Sequence, residues 1–134
     1  MDQELLKKVL ACKTVDARSA AARVVSDSHE NISNAFDLLK VAALDEHPRV
    51  RTEALRGLSF FPTGDAAAVV LESLKKPEDY YTRYTGEAAL GANINGWRTA
   101  YLKGELAKDD ASKKLVDGLI ALDKKGAQIG RAHV

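Results

Sequence analysis

Apolar residues return along this chain every three or four positions, in short bouts divided by polar, glycine or proline breaks. That spacing predicts amphipathic helices, and no stretch reads as a convincing strand. The most informative run is Leu44-Asp45-Glu46-His47-Pro48-Arg49-Val50-Arg51-Thr52-Glu53-Ala54-Leu55-Arg56-Gly57-Leu58. Val50, Ala54, Leu55 and Leu58 form one stripe, and Arg49, Arg51, Thr52, Glu53 and Arg56 occupy the rest of the surface. Asp45 is the expected acceptor for free N–H groups at the helix start, and Pro48 suits a first turn that needs no donor.

The same reading gives a helix from residue 2 to about 12, with Leu5, Leu6, Val9 and Leu10 on one face. A second runs from Thr14–Asp16 through Val25, facing inward with Ala17, Ala20, Ala21, Val24 and Val25. A polar break at residues 26–31 precedes a third, near 32–44, carrying Ile32, Ala35, Phe36, Leu39 and Ala43. Pro62 and Gly64 end the fourth. Thr63 or Asp65 caps a fifth, with Ala68, Val69, Leu71 and Leu74 inward, and Glu78-Asp79 opens a sixth bearing Tyr80, Tyr81 and Tyr84. Gly91 to Gly96 interrupts it, Trp97, Tyr101 and Leu102 form a short seventh, and Leu115, Leu119, Ile120 and Leu122 mark a last helix. Residues 1–123 are expected to form one helical domain, with a flexible tail over 124–134.

The chain repeats itself. Arg18, Ala21, Arg23 and Val25 return as Arg51, Ala54, Arg56 and Leu58, each 33 positions later, and Glu87-Ala88 gives a weaker third copy 34 after Glu53-Ala54. A period near 33 in helical sequence indicates stacked helical hairpins, in which no hairpin buries its stripe without a neighbour. The fold class expected is all-α.

The run Leu44-Asp45-x-x-Pro48-x-Val50-Arg51-x-x-Ala54-x-x-Gly57-Leu58 resembles the HEAT-type repeat, including the form in phycobilisome-lyase-like repeats. The resemblance implies an α–α superhelix of about three hairpins plus a C-terminal capping helix. Downstream, Ser59-Phe60-Phe61-Pro62, then Asp79-Tyr80-Tyr81-x-x-Tyr84, then Trp97, resembles the HEAT-like segment of large exported bacterial dehydrogenases with propeller and cytochrome c domains. That second resemblance implies a module of a multidomain redox protein. Localisation is then exported or periplasmic, against cytoplasmic for a free-standing chain.

Composition narrows the functions. With 134 residues, 46 % hydrophobic and 29 % charged, the chain is a single globular domain. A net charge of +1 gives no reason to expect strong nonspecific attraction to nucleic acid or anionic membrane. No apolar run approaches the roughly 18 residues that span a bilayer, so no membrane insertion is expected. The single cysteine, Cys12, precludes an internal disulfide, and it is expected to be a small, partly buried hydrophobe.

Two groups could carry chemistry. Arg18, Arg23, Arg51 and Arg56, with Arg83 and Arg98, could line a phosphate-binding surface; alternatively they pair with acids of adjacent repeats such as Asp16, Asp45 or Glu53 and cover helix surface with their stems. Tyr80, Tyr81, Tyr84 and Trp97 could stack on a ligand, or pack as a cap layer in the core. Tyr84 falls 33 after Arg51. Together these eight residues, Arg18, Arg23, Arg51, Arg56, Tyr80, Tyr81, Tyr84 and Trp97, make the candidate partner surface.

His29, His47 and His133 lack paired ligand spacing, Gly91 to Gly96 is not a phosphate loop, and no GxSxG or CxxCH occurs. No catalytic, cofactor or metal residue is assigned. The expected function is a non-catalytic interaction or scaffolding module whose partners are neighbouring domains or another subunit. A nucleic-acid-binding solenoid, or a small lyase acting on a bound chromophore, are the alternatives.

Overall fold

The computed structural model describes residues 3–132, with side chains described through Lys124. Four helical hairpins follow one another. α1 (Gln3–Leu10) and α2 (Val15–Asp27) form the first, and a 3-10 turn at His29–Asn31 leads to the second, α3 (Ala35–Ala43) and α4 (Pro48–Leu58). α5 (Gly64–Leu74) and α6 (Tyr80–Ala92) form the third, and α7 (Ile94–Leu102) and α8 (Asp110–Ala132) the fourth. The second helices stack as α2, α4 and α6 in one layer, the first helices in the other, and the core lies between the layers. This is an all-α solenoid, as the 33-residue period predicts, with no strand among the described residues. The expected division at residue 124 falls inside α8, whose side chains beyond that point lie outside the described residues.

Small side chains set the helix spacing. Ala21 and Ala54 are buried, 4 % and 0 % exposed, as their repeat register implies. A Cβ on Gly57 would collide with Ser26 Oγ of α2 and meet Leu39 Cδ2 at 2.8 Å, so α2, α3 and α4 close on that position. One on Gly86 would meet Leu74 Cδ2 at 2.7 Å. Gly96 lets α7 rest directly on the Pro62 carbonyl. Trp97 is buried and donates its indole N–H to the Leu90 carbonyl at 2.9 Å, and with Val116 it closes the C-terminal end of the core.

Several helix faces differ from the apolar pattern. In α2 the buried set is Arg18, Ser19, Ala21, Ala22, Val25 and Ser26, whereas Ala20 and Val24 face solvent. Arg18 and Ser26 reach the interior there because each finds an acceptor, Ser26 Oγ donating to the Glu53 carbonyl at 2.9 Å, whereas the buried Ser19 hydroxyl has no hydrogen-bond partner among the described residues. Leu5 and Ala68 are likewise exposed, while Leu38 and Ala42 join the core. Cys12 is exposed, not partly buried, because α1 ends at Leu10 and leaves it in a turn. The cap of α4 is His47, whose Nδ1 accepts from Arg49 N–H at 3.1 Å; Asp45 supports the turn by accepting from His47 N–H at 2.9 Å.

Candidate interaction surface

The N-caps of α2, α4 and α6 are Thr14, His47 and Asp79. The repeat interval is therefore 33 and then 32. Counted from these caps, Ala21, Ala54 and Gly86 are equivalent, and so are Val25, Leu58 and Leu90, all six buried. The third copy of Glu53-Ala54 is thus Thr85-Gly86, not Glu87-Ala88. Arg18 and Arg51 correspond to Arg83, not to Tyr84.

The first two of these arginines are turned inward and interlock the repeats. Arg18 donates Nη1 to the carbonyls of Cys12 (2.9 Å) and Lys13 (3.0 Å), in the turn before its own helix. Its Nε and Nη2 donate to the Asp45 carboxylate at 2.8 and 3.2 Å, in the turn of the next repeat. The carboxylate bond is the largest influence raising the Arg18 pKa above its ordinary value. Arg51 repeats the device: Nη1 donates to the Asp45 carbonyl at 2.7 Å and Nη2 to the Pro77 carbonyl. It is 1 % exposed and has no carboxylate partner among the described residues. Planar guanidinium forks suit this two-sided contact, which a lysine ammonium could not make.

On the outer ridge of the same layer, α2 and α4 are laced by ion pairs. Asp16 pairs with Arg49, Arg23 with Glu53 at 3.2 Å, and Arg56 with Glu53 at 3.3 Å and Asp27 at 3.0 Å. The positions of α6 equivalent to Arg49, Glu53 and Arg56 are Tyr81, Thr85 and Ala88. Ionic lacing thus gives way to an uncharged face. Tyr80, Tyr81 and Tyr84 are 75 %, 72 % and 64 % exposed. Tyr80 packs edge-on to Tyr81 at 5.6 Å and lies nearly parallel to Tyr84 at 6.3 Å, so the rings support one another in solvent. Their position is fixed by the cap: Asp79 Oδ1 accepts from Thr82 N–H at 2.9 Å and from its hydroxyl at 3.0 Å, and these bonds hold the Asp79 carboxyl below the usual range.

The eight candidate surface residues therefore separate. Arg18, Arg51 and Trp97 are buried and leave the surface, because backbone carbonyls and the Asp45 carboxylate accept from them inside, with only Arg51 Nε left without a partner among these three side chains. Arg23 and Arg56 stay partly exposed but are engaged by Glu53 and Asp27. Only Tyr80, Tyr81 and Tyr84 stay open, contrary to the cap-layer expectation. Arg83 is 51 % exposed and pairs within its own segment with Glu78 and Glu87, each at 3.0 Å, Glu78 being the larger influence that raises its pKa. It escaped the fixed 33-residue spacing; counting from the Asp79 cap finds it.

His29 stacks on Phe60 at 4.4 Å and places Nδ1 2.8 Å from the Ser26 carbonyl, a packing role between repeats. Among the described residues no group of three or more His, Cys, Asp or Glu side chains is arranged to hold a metal ion, and no helix is long and apolar enough to cross a membrane. His133 lies outside the described residues.

Comparison with known proteins bears on the repeat directly. The family model for HEAT repeats matches residues 3–91, which spans α1 through nearly all of α6. Neither a curated protein nor a solved structure matches the chain. With its hairpins stacked, its repeat register fixed by three caps and most of its length matched, the chain belongs to the HEAT repeat family.

Proposed function

We propose that the chain is a non-catalytic protein-interaction and scaffolding module, and that partners bind the tyrosine face of α6. HEAT repeats commonly serve as interaction or scaffold modules, which supports the general role. The observation that carries the site is the replacement of the ion-paired ridge of α2 and α4 by Tyr80, Tyr81 and Tyr84. Tyrosine supplies large contact area with few rotatable bonds and is enriched at interface hot spots. The arginines speak against a phosphate track, since Arg18, Arg23, Arg51 and Arg56 are all engaged within the fold.

The test is affinity capture from the source cells with wild type and a Tyr80→Ser, Tyr81→Ser, Tyr84→Ser variant. Exposed tyrosines contribute little to the fold, so equal melting temperatures and loss of the captured proteins are expected. An unchanged set of captured proteins would refute the tyrosine face. The proposed setting, a module of a large exported redox protein, draws on the downstream motifs, of which Trp97 lies beyond the family match. Staining the same extract for covalent haem tests it: a large band positive for haem and for this domain is expected, and a free band near 14.5 kDa excludes that setting. The nucleic-acid alternative predicts salt-dependent binding to duplex DNA, and no binding at low ionic strength removes it.

A further inference from the structure

The interlock that joins the first three repeats stops at Arg83. Counted from the cap of α8, where Asp109 Oδ2 accepts from Ser112 N–H at 3.0 Å, Ala107 is equivalent to Asp45 and Pro77. There the backbone enters the left-handed region, φ 59°, and no hydrogen bond joins it to Arg83 among the described residues. α8 consequently touches α6 far less extensively than α6 touches α4. Between them lies an open cleft of about 600 Å³.

Arg83 and Glu87 form its α6 wall, and Lys114, Leu115, Gly118 and Leu122 belong to its α8 wall. A Cβ at Gly118 would meet nothing within 4 Å, so another backbone can approach there. Leu122 is 66 % exposed, an apolar side chain left uncovered. From Ala111 to Leu122 the wall runs about 17 Å, roughly three helical turns. Glu87 is engaged by Arg83, whereas no ion pair involves Lys114 among the described residues, so the charge left to a partner is positive.

We infer that the α6–α8 cleft is a docking groove for an amphipathic helix of a partner protein, with a leucine- and alanine-rich face and a carboxylate aimed at Lys114. Such a helix would restore the repeat-to-repeat packing that α8 leaves incomplete. Helix-in-groove recognition works through apolar anchors at i, i+3, i+4 and i+7, and the cleft is long enough for them. This groove adds a second surface and does not rest on the tyrosine face.

The probe is a fluorescein-labelled designed helix of roughly 18 residues, with leucine and alanine on one face and glutamate elsewhere; a counterpart carries lysine for glutamate. Fluorescence anisotropy is expected to show the glutamate helix binding at least about tenfold more tightly than the lysine helix. Gly118→Leu starts from a position where an added Cβ meets nothing within 4 Å and projects into the groove, so it should weaken binding by about tenfold or more at an undiminished melting temperature. Lys114→Glu should remove or invert the preference between the two peptides. Binding of neither peptide, equal binding of both, or binding indifferent to Gly118→Leu would overturn the inference. Self-association abolished by Gly118→Leu, without peptide binding, would overturn it in favour of a second copy. None of these outcomes touches the tyrosine reading, which the Tyr80→Ser, Tyr81→Ser, Tyr84→Ser variant tests separately.

Discussion

Arg51→Met tests whether the buried guanidinium joins the second and third repeats. Methionine retains much of the apolar stem, so the change chiefly deletes the donors to the Asp45 and Pro77 carbonyls. Hydrogen bonds from a charged donor contribute about 1.5–3 kcal/mol each, about 3–6 kcal/mol for the two, and water can partly replace them at the half-buried Asp45 and exposed Pro77 residues. Against that stands the relief of not burying a charge, several kcal/mol for an ion without a carboxylate partner. The balance is a loss of about 1–3 kcal/mol. Arg83→Met supplies the control at the equivalent register: its side chain is half exposed and bonded only within its own segment, so the cost is about 0.5 kcal/mol or less. Urea unfolding followed by circular dichroism at 222 nm reads both. A midpoint for Arg51→Met within error of wild type, or equal losses in the two variants, would refute the interlock.

Three further outcomes follow from the packing. Ala54→Leu forces a larger side chain into the α2–α4–α6 layer and should cost about 1–3 kcal/mol by urea titration; no loss would mean the helices separate freely there. Gly96→Ala sets a methyl against the Pro62 carbonyl and should lower the melting temperature, whereas Gly91→Ala, with open space around it, should gain about 0.5–1 kcal/mol. Bonds from Ser112, with Lys75 assisting, depress the Asp109 pKa to about 2 in the folded chain. A depressed carboxyl adds stability above its unfolded value and loses it as pH falls through the folded one, so the melting-temperature advantage over Asp109→Asn should be full above pH about 4 and vanish toward pH 2. An advantage that does not change between pH 5 and 2 would refute that assignment.

Much of the fold was legible because two repeats agree in both register and residue type. Arg18 and Arg51, or Val25 and Leu58, announce a 33-residue period without any knowledge of contacts. The third repeat was misaligned because one residue is missing between His47 and Asp79, and only a cap hydrogen bond reveals where α6 starts. Polarity patterns also misplaced Ser26 and Arg18, since a polar side chain moves inward once a carbonyl or carboxylate waits for it. Tyr80, Tyr81 and Tyr84 allowed either a core layer or an open surface in the sequence, because aromatic area counts as hydrophobic on both; only their exposure in the fold decides for the surface. Gly118 gave no sign in sequence, because its meaning is the empty space beside it.

The acceptors that Arg18 and Arg51 use in the turns are mainly main-chain carbonyls, of Cys12, Lys13, Asp45 and Pro77. Every residue type carries that oxygen. The third turn, which Arg51 reaches through the Pro77 carbonyl, is therefore free to drift in composition, whereas the second turn must keep an acid for Arg18 to reach across to it. At that second joint the specification is concentrated in the Arg51 donor, and a foreign hairpin with an unrelated turn, grafted after Arg51, inherits the joint as long as its backbone follows the same path.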